Sequence, residues 1–330
     1  MKKVQYEKFG DPKVLEMIST VEPTLLNDEI KIMVKAVGLN PVDLKIFGGD
    51  IRLKLVGFIR QLVNPKKWIS HSSQFPRGVA RDFSGIVEDI GNNVSEFKVG
   101  DLVFGTLRSA PGLGTKKGSL VEKLVASKND VVKMPEKLSF ETASSLGVAG
   151  QTACGALRHL NLKKDDVIVI SAASGGVGSL AVQIAVSRGA TVIGITGEHN
   201  TDYVRSLGAI PVAYGENLEK RIRDSTQNSV TKLLDCFGGN YVKLAFSLGL
   251  AGANIGTLVP SPRAIIKGAQ FTGSRHARLG DLEEVACLTA KGVIKVNINN
   301  VYSFDIDSIR LAYAELSKGH VRGKLVIKFS

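Results

Sequence analysis

The run VIVISAASGGVGSLAVQIAVSRGATVIGIT, from Val167 to Thr196, holds residues whose types and spacing could do chemistry. Ala173, Ser174, Gly175, Gly176, Val177 and Gly178 form a glycine-rich turn between a short apolar run and an apolar-faced helix. Such a turn lets backbone N–H groups approach a pyrophosphate, whose charge is favoured at the positive end of the helix. Gly175 serves that approach and Gly178 lets helix and strand pack closely, in a dinucleotide fingerprint with alanine at its first glycine position. Glycine spacing alone is a weak signal, but strand, turn, helix and second strand follow in order here. The second strand ends at Thr196, where an NAD site places an acidic residue on the ribose hydroxyls. A 2′-phosphate would be repelled by Asp and accepted by Thr196, His199 and Asn200, which favours NADP(H). Glu198 argues the other way if it points inward.

These residues need a scaffold, and the surrounding pattern supplies one. From Asp166 onward, strands such as DVIVISA, TVIGIT and PVAY alternate with helical segments such as TDYVRSLG and NLEKRIRDST. Alternation of this kind predicts a parallel sheet covered on both faces, a Rossmann-type doubly wound α/β fold. The first part of the chain is different: EIKIMVKAVGL, DFSGIVEDIG and DLVFGTL alternate or run apolar between glycines, predicting a mainly β module with strongly curved strands. Between them PEKLSFETASSLGVAGQTACGALRHL has helical spacing, with Ser139 as N-cap and Glu141 and Thr142 in the first turn. The tail predicts a helix over about 281–291, a strand in KVNINNVYSF, a helix in DIDSIRLAYAELSKG and a last strand in GKLVIKF, returning to the first module. The expected division is 1–123 completed by 276–330, with 124–275 as the nucleotide-binding domain.

Composition narrows the function classes. The chain has 330 residues, 44% apolar, and no apolar run approaching the ~20 residues that span a bilayer. Its first residues do not read as a signal peptide. Cys154, Cys236 and Cys287 are scattered and odd in number, pointing to reduced thiols in a cytoplasmic-type compartment. The net charge of +12 attracts anions, phosphorylated cofactors among them. Part of the excess is local: Arg52, Lys54, Arg60, Lys66, Lys67, Arg77 and Arg81 occur without an acid between Ile51 and Arg81. Leu55, Ile59 and Leu62 share a helical face in this strip, read first as a lid and second as a contact for nucleic acid or an acidic membrane. Trp68 stands almost alone there, so no aromatic stacking platform accompanies the charge.

The segments VGLNPVDLKI, DFSGIVEDIGNNVSEFKVGDLVFG, LGVAGQTACGAL, SAASGGVG, VRSLGA and KGHVRGKLVI occur in one order along nearly the whole chain. In this it resembles the medium-chain dehydrogenase/reductase superfamily, and most of all its zinc-free quinone oxidoreductase branch. The resemblance implies a GroES-like catalytic domain from the front and tail, a Rossmann domain between them, an active site in the cleft and a homodimer built across the Rossmann sheet edge. Zinc members carry Cys, His and Cys ligands where this chain has Asn40, Arg81 and the ligand-free LGVAG, so no metal is expected.

The resemblance also assigns residues. It sets Asn40 and Asp43 in the catalytic cleft, Asn40 bonding the cofactor or the substrate carbonyl and Asp43 orienting neighbours. Thr152 is implied near the nicotinamide, Ser174, Gly175, Gly176 and Val177 at the pyrophosphate, and Tyr214 at the adenosine phosphate. Phe237, Gly238 and Thr257 end strands at the carboxyl edge of the sheet, where ligands bind, and Lys324 is implied to approach the cofactor from the tail. Plainer readings stand beside these: Asp43 as the cap of the following turn, His199 as an exposed loop residue, Phe237 as core, Lys324 as solvated. Two departures matter. Phe47 follows NPVD where the family often has a tyrosine, leaving the proton to water, and related members carry Arg where His199 stands.

Without a Lewis acid a simple ketone is harder to polarise, whereas a conjugated acceptor spreads the incoming charge itself. The expected function is therefore NADPH-dependent hydride transfer to quinones or α,β-unsaturated ketones and aldehydes. The alternatives are an NAD(H)-linked enoyl reductase, or a cofactor-binding protein that contacts nucleic acid or acidic membrane.

Overall fold

In EIKIMVKAVG every second side chain is apolar, and Ile30, Ile32, Val34 and Ala36 are buried on one side of the strand they form. Burying each such branched side chain is worth about 1.5–3 kcal/mol, which fixes the face and hence the register. The computed structural model describes residues 1–50, 75–107, 117–259 and 261–330. The lid helix expected around Leu55, Ile59 and Leu62, with Trp68, lies outside the described residues. The chain divides into two compact units, Met1–Val148 with Ile298–Ser330, and Ala149–Asn297.

In the first unit the elements run β1 (Lys2–Tyr6), β2 (Glu16–Ser19), β3 (Glu29–Gly38), α1 (Pro41–Phe47), β4 (Arg77–Gly78), β5 (Asp82–Ile90), β6 (Leu102–Thr106), β7 (Lys123–Ser127), β8 (Val131–Lys133) and α2 (Phe140–Ser144). Helix α3 (Gly147–His159) follows. Strand β3 is the centre of a seven-stranded sheet, antiparallel to β5 along its length and to β7 along its first half. Register shifts against β5 at Lys31/Ile32 and Val34/Ala36 are bulges that bend and twist the pair, as the expected strong curvature requires. Ser139 caps α2, its hydroxyl accepting from the Thr142 N–H at 3.1 Å.

The second unit contains β9 (Val167–Ile170), α4 (Gly176–Ser187), β10 (Thr191–Thr196), α5 (Thr201–Ser206), β11 (Ile210–Ala213), α6 (Leu218–Asp224), β12 (Lys232–Asp235), α7 (Tyr241–Ser247), β13 (Ile255–Thr257), α8 (Pro262–Ile266), β14 (Gln270–Phe271) and α9 (Asp281–Ala290). Its six strands are parallel, in the order β11-β10-β9-β12-β13-β14. Val167, Val169, Ile193, Ile195, Leu233 and Ile255 form its core. The winding reverses between β9 and β12, the switch point where open α/β sheets bind ligands.

The tail adds β15 (Ile298–Ser303), α10 (Ile306–Ser317) and β16 (Lys324–Lys328). Strand β16 pairs antiparallel with the end of β3, and Ile309, Tyr313, Leu325 and Ile327 enter the core that holds Ile30 and Phe83. The unit boundaries differ from the sequence expectation of 123/124 and 275/276. Strands β7 and β8 pair with β3 and β6, so the chain past Lys123 still builds the front sheet. Residues 276–297 stay with the second unit, where Asp281 forms an ion pair with Arg158 and the Lys295 N–H donates to Gln183 Oε1 at 2.7 Å.

Candidate active site

The glycine turn after β9 is shaped by close approach. Ala172 has φ +48 and its carbonyl accepts from the Gly175 N–H at 2.9 Å. A Cβ on Gly178 would lie 2.1 Å from that carbonyl oxygen, so no side chain fits there without moving α4 off the strand. At Gly175 the same contact would be 3.3 Å, tight but not closed. Gly175 is the N-cap of α4 and makes no side-chain cap hydrogen bond, so the first turn, from Gly176 and Val177, lacks the usual side-chain acceptor for its N–H groups. Uncapped amides at a helix start, backed by glycine, fit a pyrophosphate.

Beside this turn the residues expected for the adenosine end come together. The Thr196 hydroxyl donates to Ser174 Oγ at 3.0 Å, and Asn200 Nδ2 reaches the same oxygen at 3.4 Å. Asn200 Nδ2 also lies 3.1 Å from His199 Nε2. A Cβ on Gly197 would come within 2.9 Å of the His199 ring and 3.3 Å of the Tyr214 hydroxyl, so both flank that glycine. Tyr214 is held by its own N–H, which donates to the Thr196 carbonyl at 2.9 Å. His199, Tyr214 and Glu198 are exposed, while Thr196 and Asn200 are buried. The group offers hydroxyls, an amide and an imidazole.

On the other side of the switch point Asp235, which the sequence reading did not select, organises the strand ends. Its carboxylate accepts from Ser171 Oγ (2.9 Å), the Phe237 N–H (3.0 Å), the Gly238 N–H (2.8 Å) and Thr257 Oγ1 (2.9 Å). Thr257 is thereby buried and engaged, Gly238 takes φ +99, and Phe237 stands 64% exposed instead of in the core, edge-on to Tyr241. An acid ending the apolar run TKLLD was the available signal. Thr152 is buried on α3, its methyl beside Gly273.

The first unit holds a separate polar cluster. Asn40 is the N-cap of α1 and is 3% exposed. Its Nδ2 donates to Asp82 Oδ2 at 2.9 Å and to the Gly38 carbonyl at 3.3 Å, and its Oδ1 accepts from Lys324 Nζ at 2.7 Å. The amide is thus taken up by protein groups, leaving it no free donor for a cofactor or substrate. Asp43 caps the turn as its plainer reading had it, Oδ2 accepting from the Asn40 N–H at 2.9 Å and from Tyr313 OH at 3.3 Å. Its Oδ1 is buried and has no hydrogen-bond partner among the described residues. Burial pushes the Asp43 carboxyl up to about 7, and the nearby Asp82 adds to the rise. Lys324 is buried, not solvated, and points inward to the Leu39 carbonyl at 2.8 Å. Burial lowers its ammonium from the usual range, opposed by Asp82 and Asp43.

Zinc does not fit these residues. The stations for its ligands present a saturated amide at Asn40 and, at Arg81, a guanidinium turned to the Leu107 carbonyl at 2.8 Å. The third presents Gly147 and Val148, with the Lys324 ammonium already among them. Neither an ammonium nor a guanidinium is a zinc ligand. Among the described residues the one grouping of metal-type donors is Cys154, Asp281 and Glu284, in which Asp281 is already paired with Arg158.

Comparison with known proteins agrees with both units. Residues 26–136 match the family described as "Alcohol dehydrogenase GroES-like domain", and residues 176–286 match "Zinc-binding dehydrogenase". The chain is 30% identical to the chloroplast envelope quinone oxidoreductase homolog of Arabidopsis thaliana, covering 99% of this chain and 98% of that one. It is 35% identical to the chloroplastic quinone-oxidoreductase homolog of Spinacia oleracea over the same shares. The solved quinone oxidoreductase of Coxiella burnetii superposes with a TM-score of 0.82 at 28% identity, covering 99% of each chain. With a GroES-like unit, a Rossmann unit and quinone oxidoreductase relatives 30–35% identical and covered over 98% of their length, the chain belongs to the medium-chain dehydrogenase/reductase superfamily, in its quinone oxidoreductase branch.

Proposed function

We propose that this protein is an NADPH-dependent reductase that delivers hydride to quinones or α,β-unsaturated ketones and aldehydes without a metal. The observation that carries the cofactor choice is the grouping of Ser174, Thr196, His199, Asn200 and Tyr214 beside an uncapped helix, with Thr196 where an NAD site would carry an acid. Quinone oxidoreductase relatives support the acceptor class. When bound, the reduced nicotinamide supplies the hydride. The protein holds the pyrophosphate on the N–H groups of Gly176 and Val177 and orders the adjoining strand ends through Asp235. Phe47 stands where the family often has a tyrosine, so the proton that completes the reduction comes from water. The same reading includes a homodimer and a cytoplasmic-type reducing compartment, in keeping with free Cys154, Cys236 and Cys287. It does not draw on the basic strip: of its charges Arg77 and Arg81 are described, and both are turned into the protein.

The test is a panel of 1,4-quinones, alkenones, alkenals and ethanol with NADPH or NADH, with chelator present. NADPH oxidation is expected with the conjugated acceptors and none with ethanol. NADPH fluorescence that stays unchanged on adding protein, or activity that chelator abolishes, would refute the proposal. A preference for NADH would instead favour the enoyl-reductase alternative, with Glu198 turned to the ribose.

A further inference from the structure

Three stretches far apart in sequence meet in the first unit: the turn ending at Asn40, the start of β5 at Asp82 and the start of α3 at Gly147–Val148. Asp82, fully buried, joins them. Its Oδ1 accepts from the Val148 N–H at 2.8 Å and its Oδ2 from Asn40 Nδ2 at 2.9 Å. The Lys324 ammonium stands 3.6 Å from that second oxygen. A carboxylate at the start of a helix satisfies an amide that would otherwise lack a partner and complements the helix dipole.

Two observations show that the fold is built around this carboxylate. A Cβ on Gly147 would lie 2.2 Å from Asp82 Oδ1, so the residue type at 147 follows from the acid. The ammonium of Lys324 donates to the Leu39 carbonyl and to Asn40 Oδ1, and Asp82 stands beside it at ion-pair distance. Stability alone does not account for such a pair, because a packed apolar replacement is often as stable. What a saturated buried pair adds is a single geometry, since any rearrangement strands a charge in the interior.

We propose that Asp82, with Lys324 as its fixed counter-charge, is a positioning residue of the reduction. It tethers the Asn40 side chain to one carboxylate oxygen and the first turn of α3, through the Val148 N–H, to the other. Thr152 follows one turn further along the same helix. The inference rests on the reductase reading above.

The test uses the full chain with NADPH and a 1,4-quinone, comparing wild type, Asp82→Asn, Lys324→Met and the double variant. Asparagine at 82 keeps the acceptor for Val148 but turns an NH2 group toward the Asn40 amide and the ammonium. The expected result for Asp82→Asn is a kcat reduced about tenfold or more, with the NADPH Kd within about twofold of wild type. The double variant, which also removes the stranded ammonium, recovers much of that loss, a coupling that a generally weakened fold would not show. An unchanged kcat in Asp82→Asn, single losses that simply multiply in the double variant, or a matching loss of NADPH affinity would each overturn the proposal. Should Asp82→Asn fail to fold, Gly147→Ala presses on the same carboxylate without altering charge. A fall in kcat at constant NADPH Kd is then expected, and an unchanged kcat counts against the tether. Wild-type protein that binds no NADPH would sink the reductase reading itself. The tether is then judged by amide exchange at Val148, which must quicken in Asp82→Asn and slow again in the double variant.

Discussion

Asp43, Asp82 and the Lys324 ammonium share one part of the interior of the first unit, and their partition shapes how the protein responds to pH. Asp82 lies nearer Lys324, while Asp43 accepts from an N–H and a phenol and has one oxygen without a hydrogen-bond partner among the described residues. Burial raises the Asp43 carboxyl from 3.8 to about 7 in the folded protein, with Asp82 adding to the rise and the Asn40 N–H, Lys324 and Arg81 opposing it. A raised value means that the folded state holds the proton more tightly than the unfolded chain. The resulting stability is whole at low pH and drains away as pH climbs from about 4 to about 7, above which the charge is buried in the folded state too. Asp43→Asn, with the same shape and no charge, should flatten this slope, raising Tm at pH 8 and leaving it unchanged near pH 4. Thermal unfolding across that range checks it, and a slope that survives the substitution would remove Asp43 as its source. At the adenosine end, Thr196→Asp puts a carboxylate beside Ser174 where a 2′-phosphate would lie. The ratio of kcat/KM for NADPH over NADH should fall about tenfold or more; an unmoved ratio would show that the cluster does not read the phosphate. Of these residues, the turn glycines and Thr196 could be read in advance because their meaning depends on near neighbours in the chain. Asp82 and Asp235 could not, since the groups that Asp82 joins, Asn40 and Val148, are 42 and 66 positions away, and the Thr257 and Ser171 hydroxyls that Asp235 joins are 22 and 64 positions away.

At the scale of elements, the packing of α4 on β9 depends on the missing side chain at Gly178. Gly178→Ala must push the helix away from the Ala172 carbonyl, and overpacking of this kind costs about 1–3 kcal/mol. Chemical denaturation should show that loss, with NADPH affinity falling alongside it, whereas Gly175→Ala should be milder because its contact is 3.3 Å rather than 2.1 Å. Equal losses at the two positions would mean that the backbone adjusts more freely than the contacts suggest. Strands and helices of the second unit follow the hydrophobic pattern closely, because each unit of a parallel sheet is buried by its immediate neighbours. The helical segment that starts after Ser139, in the first unit, behaves differently. It reads as one run, yet it is broken between Ser144 and Gly147, where Asp82 supplies a fresh cap to α3. Periodicity carries no trace of a cap delivered from another strand.

For the molecule as a whole, a net charge of +12 and an anionic cofactor make binding sensitive to ionic strength. The KM for NADPH should rise between low salt and about 0.3 M, while the KM for an uncharged quinone stays level. Steady-state kinetics across that range test it, and parallel changes in both constants would point to an effect on the fold instead. The sequence by itself determined the order of elements, the parallel nucleotide-binding sheet, the return of the tail to the front module and the family, since all of these rest on local periodicity and contiguous motifs. Tertiary structure alone decided where the units divide, that Asn40 and Lys324 spend their polar atoms on each other and on Asp82, and that Phe237 faces outward. These are matters of which distant groups meet once the chain is closed, and a buried polar atom takes its role from the partner that satisfies it.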